Sequence, residues 1–338
     1  MDQKTRLVNA LKRLEADRHP FICPGGMMNM AATEVMEASK CRWPYAHLDP
    51  HMMARLTLAA NRLAGIENVG VPFCMTVEAE AMGAEIDIGS LESEPSIAVY
   101  PMKRITDIDR LSQLDLNAGR TKVCVEAVRI LHRETKDIPV FANLTGPVSL
   151  ATSLLEPLTF YRALINKKQA AHELMQIVVS NLKTFASALI EAGADLLCIA
   201  DPSASGELIG RKAFSEFALP YINELVNSFR YKFGTPSIVH ICGKVQSLGT
   251  SLSAIAAECI SVDSVVSIAK LKELAPSKIA MGNVSTYMLA KAHPDSVFKN
   301  GRRCIRIGAE ILAPACGMST RTPLENIKSL SRAVLNKT

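Results

Sequence analysis

Short apolar runs recur along the chain, each ending in Gly, Pro, Asp or Asn and followed by a segment with helical spacing. Several of these runs are almost wholly apolar, as strands covered on both faces are. The alternation predicts parallel strands joined by crossover helices. The predicted strands are residues 21–23, 69–73, 139–144, 196–200, 237–242, 259–263, 278–282 and 311–315. Eight such strands are the number that closes a barrel.

Helical patterns fill the stretches between these strands. Residues 168–192 and 213–231 carry apolar side chains near the period of a helix, and Gly193 supplies a helix stop. The amino-terminal residues 1–18 have an amphipathic helix pattern, whereas residues 91–103 look extended. The pattern therefore predicts an α/β protein in which residues 1–338 form a single (β/α)8 TIM barrel with an N-terminal helical extension.

A doubly wound open sheet is the alternative architecture. Dinucleotide-binding sheets of that kind carry Gly-x-Gly-x-x-Gly after the first strand. Here the first strand is followed by PGGMMNM, which has two glycines without that spacing. The pattern favours the barrel.

Composition narrows the class of protein. The 338 residues are 48% hydrophobic and 21% charged, with a formal net charge of +5, as in an ordinary globular enzyme. Without a dense run of Lys and Arg, we expect no nucleic-acid partner. Without a long apolar stretch or a secretory signal at the amino terminus, we expect no membrane partner and a cytoplasmic location. In that reducing compartment, most of the nine cysteines are expected to be buried thiols.

Two cysteines stand out because glycine and polar residues surround them. Cys242 follows His240 by two positions, so both side chains leave the same face of a strand. Cys316 follows the last predicted strand, and reactive residues of a barrel collect at the carboxyl ends of its strands. Three N and S ligands suit a catalytic Zn(II) with a free fourth position. The alternative is that His240 is a hydrogen-bonded core residue and the cysteines are packed thiols.

Other polar and sulfur-containing residues lie at the same strand ends. Asp263 is predicted either to bind the metal or to orient His240, unless it caps a helix or forms a turn. Asp201 is a candidate general base or ligand-positioning carboxylate, with a capped turn as its alternative. Candidate cofactor contacts are Met27, Met28 and Asn283, although the methionines would equally fill the barrel mouth.

Several motifs resemble the uroporphyrinogen decarboxylase superfamily, in particular its branch of corrinoid:coenzyme M methyltransferases. They are HICGKV, GNVS, LAPACG with the later TPLENIKSL, RWPYAH, VPFCMTVEAEAMGAEIDIG, LTGPVSLA and EAGADLLCIADPSAS. The resemblance implies that His240, Cys242 and Cys316 are the zinc ligands. It departs at Asp263, where that branch is expected to have glutamate. The segment ICPGGMMNM lacks the arginines that grip a porphyrinogen in the decarboxylases, which speaks against decarboxylation.

The resemblance implies transfer of a methyl group from a methylated corrinoid, held on a partner protein, to a thiol such as coenzyme M. Lys244 and Arg321 are the cations nearest in sequence to the ligands, and neither is assigned to the sulfonate. Two alternatives remain open at this point. One is a zinc methyltransferase that moves methyl from another methylated substrate to a corrinoid protein. The other is a non-catalytic module that binds a corrinoid protein and carries a structural metal.

Overall fold

A ring of parallel strands forms the centre of the protein in the computed structural model, which describes residues 1–335. Six strands pair side by side in the order in which they follow one another in the chain, each parallel to the next. These strands are Val69–Val71 (β1), Val140–Thr145 (β4), Leu196–Ala200 (β5), Ser237–Ile241 (β6), Cys259–Val262 (β7) and Ile279–Met281 (β8). All their residues are buried, because helices cover the outside and side chains fill the inside.

Two further segments close the ring through single bridges. The last segment, residues 311–315, pairs in parallel with Met281 through Ile311 and with Phe21 through Leu312. On the other side of residues 21–23, which are the first segment, the Phe21 carbonyl accepts from Glu67 N at 2.8 Å. The chain therefore forms the predicted (β/α)8 barrel. Its first and last members are extended but too sparsely bonded to be regular strands.

Helices surround this ring. They are Gln3–Lys12 (α1), Thr33–Ser39 (α2), Pro50–Ala64 (α3), Val77–Ala81 (α4), Gly119–Glu134 (α5), Pro147–Leu154 (α6), Pro157–Asn166 (α7), Lys168–Glu191 (α8), Gly210–Ala213 (α9), Leu219–Phe233 (α10), Ile268–Leu274 (α11), Thr286–Lys291 (α12), Pro294–Arg306 (α13) and Leu324–Arg332 (α14). Short 3-10 turns occupy Tyr45–His47, Ile108–Arg110, Pro202–Ala204 and Gln246–Ser251. No helix within residues 1–335 has the length and apolar character needed to cross a membrane.

Three predicted elements differ in detail. The amino-terminal helix ends at Lys12, short of residue 18, because Arg13 takes a left-handed conformation and turns the chain. The predicted helix 213–231 is interrupted by a wide π turn at Phe214–Ala218, just before Pro220, which has no N–H to continue the preceding turn. The extended region near residues 91–103 is part of an antiparallel hairpin of Glu85–Asp87 (β2) and Ser96–Val99 (β3). Positions 336–338 of the predicted domain lie outside the described residues.

Candidate metal centre

Three side chains meet at the carboxyl-terminal mouth of the barrel. His240 lies near the end of β6, Cys242 follows that strand directly, and Cys316 follows the last segment. One ligand atom from each lies within 4.8 Å of the others. The sequence spacing of His240 and Cys242 places both on one face of β6, and the closing of the ring brings Cys316 to them. The structure thus assembles the three predicted metal ligands.

The imidazole of His240 is oriented by the neighbouring strand. His240 pairs in register with Ser261 of β7, and its Nδ1 lies 3.0 Å from Ser261 Oγ. Ser261 Oγ donates to Met28 Sδ at 4.0 Å, so its oxygen is free to accept the Nδ1–H of His240. The other nitrogen, Nε2, is buried and has no hydrogen-bond partner among residues 1–335. A buried nitrogen lone pair without a partner fits a metal ligand.

The two cysteines are half-buried and their sulfurs lie 3.5 Å apart. Their mutual hydrogen bond, followed by burial, raises the pKa of Cys242, and the same bond lowers the pKa of Cys316. The nearby carboxylates of Asp263 and Glu94 have the opposite effect, because their negative charges raise the pKa of Cys316. Both carboxylates consequently lie close enough to affect its charge.

Asp263 stands directly beside the cluster. Its Oδ2 accepts from Cys242 Sγ at 3.3 Å, and its Oδ1 accepts from Val265 N at 3.0 Å. Asn283 donates from Nδ2 to the carbonyls of Asp263, at 2.9 Å, and Val266, at 2.6 Å. Asn283 therefore fixes the loop that presents Asp263 to the cysteine.

Asp201 reaches the site through its backbone only. Its N–H donates to the His240 carbonyl at 2.9 Å, while its fully buried carboxylate turns towards the start of α6. There it accepts from Val148 N at 3.1 Å, Ser149 N at 2.8 Å and Ser149 Oγ at 2.7 Å. A Cβ on Gly146 would lie 2.3 Å from the Asp201 Cβ, so only glycine permits this approach. These contacts are those of a helix cap.

The methionine-rich loop after the first segment packs under the mouth. Met28 is fully buried, whereas Met27 is half-buried. A Cβ on Gly317 would lie 2.4 Å from the Met27 carbonyl oxygen. Glycine next to Cys316 therefore allows this loop to lie against the metal ligand.

Two residues near the cluster were not singled out from the sequence. Ser261 is the hydrogen-bond partner of His240, and Glu94 lies on the loop between β2 and β3. The two cations that were singled out are exposed and already paired. Lys244 lies 3.9 Å from Glu207 and its side chain is 70% exposed; Arg321 pairs with Glu92 and is 74% exposed.

Comparison with known proteins agrees with this architecture. The family model described as uroporphyrinogen decarboxylase (URO-D) matches residues 2–336. A methylcobamide:CoM methyltransferase of Methanosarcina acetivorans is 32% identical over 335 residues, which cover 98% of this chain and 97% of that protein. A methylcobamide:CoM methyltransferase of Methanosarcina barkeri is 31% identical over 334 residues, or 98% of this chain and 96% of that protein.

Among solved structures, a methyltransferase from Methanosarcina mazei superposes with a TM-score of 0.89 at 31% sequence identity, covering 98% of both chains. The structural similarity therefore covers nearly the whole chain. The chain therefore belongs to the uroporphyrinogen decarboxylase family and is similar, over nearly its whole length, to methylcobamide:CoM methyltransferases.

Proposed function

We propose that this protein transfers a methyl group from a methylated corrinoid, carried by a partner protein, to a thiol such as coenzyme M. His240, Cys242 and Cys316 would hold Zn(II) for this reaction. The observation that carries the proposal is the convergence of their three ligand atoms within 4.8 Å, together with the unpartnered Nε2 of His240. The names of the similar proteins support the same donor and acceptor.

Zinc suits the site because it takes imidazole and thiolate ligands together, and three protein ligands leave a position for substrate. When bound, it lowers the pKa of a coordinated thiol, so that the sulfur is deprotonated and nucleophilic at neutral pH. In the transfer, the cobalt–carbon bond breaks with its electron pair left on cobalt, and a sulfur–carbon bond forms. The thiol proton is released.

The residues of the chain supply orientation and charge. Ser261 holds the His240 ring so that Nε2 faces the sulfurs, as second partners of metal-bound histidines do. Asp263 accepts from Cys242, which places a negative charge beside the ligands and keeps the site electron-rich. Asp201 is proposed to hold the β5 end against α6, so that the His240 backbone is fixed.

The donor is proposed to approach from the mouth. A corrin face must cover the barrel opening for in-line transfer, and Met27 at that opening is proposed to contact it. Met28 and Asn283 are proposed to position the residues around this contact. Met28 Sδ accepts from Ser261 Oγ, and Asn283 donates to the backbone of the loop that carries Asp263. A reducing compartment such as the cytoplasm suits the protein, because the two thiols must stay free to bind a metal.

The variant Cys242→Ala tests the proposal. Removing one of three ligands should abolish stoichiometric zinc and thiol methylation together. Zinc is measured in the purified protein, and methylation is followed by the loss of methylcobalamin absorbance with coenzyme M. The matched control is Cys304→Ala, a buried cysteine on α13, which should retain both. Methylation that persists in Cys242→Ala would exclude this mechanism, and zinc without turnover on any thiol would favour transfer from another substrate to a corrinoid protein.

A further inference from the structure

A cavity of about 210 Å³ lies beside α7 and is rich in cations. Its lining includes the buried side chains of Ile105 and Ala163. Four cations also line this α7 cavity, namely Lys103, Arg104, Arg162 and Lys167. No carboxylate of residues 1–335 belongs to the lining. The α7 cavity is therefore a concave site of positive charge, at which one anion can reach several cations.

Two segments of the chain bring these cations together. The chain that follows β3 runs beside the residues before α7, because the Met102 N–H donates to the Leu154 carbonyl at 3.1 Å. On α7 itself, Arg162 and Asn166 are four residues apart and share one face. Lys167 directly follows that helix. The fold, and not one basic stretch of sequence, thus places the cations around a common cavity.

One of the four cations has a counter-ion within the structure. Arg104 lies 2.9 Å from Asp107 Oδ1. The other three, Lys103, Arg162 and Lys167, are exposed and form no ion pair with the described part of the chain. Like charges that share a cavity repel one another. An anion that enters the α7 cavity would remove this repulsion.

Glu156 is the second acidic residue near the cavity. Its carboxylate accepts from Thr159 N at 2.8 Å and caps the start of α7, and it interacts with the charge of Arg162. The four cations, less the charges of Asp107 and Glu156, leave a net charge of +2. A phosphate monoester carries about −1.5 to −2 at neutral pH, whereas a carboxylate or a sulfonate carries a single negative charge. A phosphate group is thus the better match.

The α7 cavity is separate from the metal centre but shares the β2–β3 hairpin with it. The loop of the hairpin contacts the segment after Cys316, since Thr320 Oγ1 donates to the Glu92 carbonyl at 3.2 Å. Beyond β3 the same chain continues into Lys103 and Arg104. A ligand that bridges these two cations and α7 would therefore fix the end of the hairpin that leads away from the metal centre.

From these observations we infer that the α7 cavity binds a soluble ligand through a phosphate monoester group. The phosphate oxygens accept hydrogen bonds from the guanidinium of Arg162 and from the ammonium groups of Lys103 and Lys167. The inference does not rest on the proposed methyl transfer, because no candidate metal ligand lines the cavity. The two proposals can therefore fail independently.

Isothermal titration calorimetry on the purified protein tests the inference. Glycerol 3-phosphate should bind saturably, with one site per chain, and its affinity should fall as the salt concentration rises. Glycerate, which has a carboxylate and no phosphate, should bind about tenfold more weakly or not at all. No saturable binding of glycerol 3-phosphate, or equal binding of the two compounds, would overturn the inference. Sedimentation with phosphatidic acid vesicles that glycerol 3-phosphate does not inhibit would contradict a soluble ligand.

Two exposed cations of the cavity provide variants for the same titration. Arg162→Gln and Lys167→Gln each remove one positive charge, so each should weaken the binding of glycerol 3-phosphate about tenfold. The matched controls are Lys299→Gln and Arg306→Gln, at exposed positions of α13 outside the cavity, which should leave the affinity unchanged. Unchanged affinity in the cavity variants, or an equal loss in the controls, would show that the cavity is not the binding site.

Discussion

Ser261 determines which nitrogen of His240 faces the two cysteines. Its Oγ lies 3.0 Å from Nδ1, so the imidazole presents Nε2 to the metal position. In Ser261→Ala this partner is lost, and the ring can rotate or change tautomer. We expect metal affinity to fall by about 10- to 100-fold, measured by competition with a chromogenic chelator.

The control for this variant is Ser253→Ala, a partly exposed serine whose Oγ contacts Ser277 at 3.3 Å. It should bind metal as the unmodified protein does. Undiminished affinity in Ser261→Ala would show that the packing around His240, and not the serine, orients the ring.

The three candidate ligands that the structure brings together carry a local signal in the sequence. His240 and Cys242 are two apart on one strand, and Cys316 lies in a glycine-flanked turn, so all three could be named from the sequence. Ser261 could not, because it meets His240 only through the register of β6 with β7. Glu94 could not, because it comes from a hairpin loop whose position over the mouth has no counterpart in the local pattern.

Helix α6 depends on a carboxylate from a different element. Asp201 follows β5 and caps α6 through Val148 and Ser149, while burial raises its pKa from 3.8 to about 6. Because the folded protein holds this proton more tightly than the unfolded chain, protonation stabilises the fold. Its contribution is full below about pH 4 and is lost as pH rises through about 6, a change of about 3 kcal/mol.

The variant Asp201→Asn removes this titration. The unfolding free energy of the unmodified protein, relative to the variant, should fall between about pH 4 and pH 6, as measured by urea denaturation at several pH values. A constant difference across this range would show that Asp201 does not titrate in the folded protein.

Element prediction was accurate for the inner strands and weaker at the ends of the ring. The strand at Leu196–Ala200 was predicted with the bounds that the structure has, because turn residues delimit a wholly apolar run. Residues 21–23 and 311–315 were also predicted as strands, yet each makes only single bridges. An apolar run predicts that a segment is buried, but it does not predict how many backbone hydrogen bonds the segment makes to its neighbours.

At the scale of the whole molecule, a buried arginine ties α1 to the barrel. Arg6 is 4% exposed and bonds Asp17 at 2.7 Å and Glu67 at 3.2 Å. Its hydrogen bond to Asp17 is the main reason that the pKa of that carboxyl is held well below its usual range. Glu67 in turn accepts from Phe21 N at 3.3 Å. The amino-terminal helix is thereby linked to the first segment of the ring.

Arg6→Ala leaves the buried Glu67 with less compensation, so we expect the unfolding free energy to fall by about 3 kcal/mol. Thermal or chemical denaturation measures this loss. Lys12→Ala, an exposed position on the same helix, should have no comparable effect. Equal stability of the two variants would mean that α1 contributes little to the barrel.

The sparse pairing of the last segment has a consequence for metal occupancy. Cys316 follows the part of the barrel where neighbouring segments share the fewest backbone hydrogen bonds. His240 and Cys242 instead belong to a strand that is regularly paired on both sides. An ion bound by all three residues would cross-link the last segment to the β6 side of the barrel mouth. Metal binding and closure of the barrel at the last segment would thus stabilise each other. Loss of the metal would weaken the closure, and an opened barrel would bind the metal less tightly.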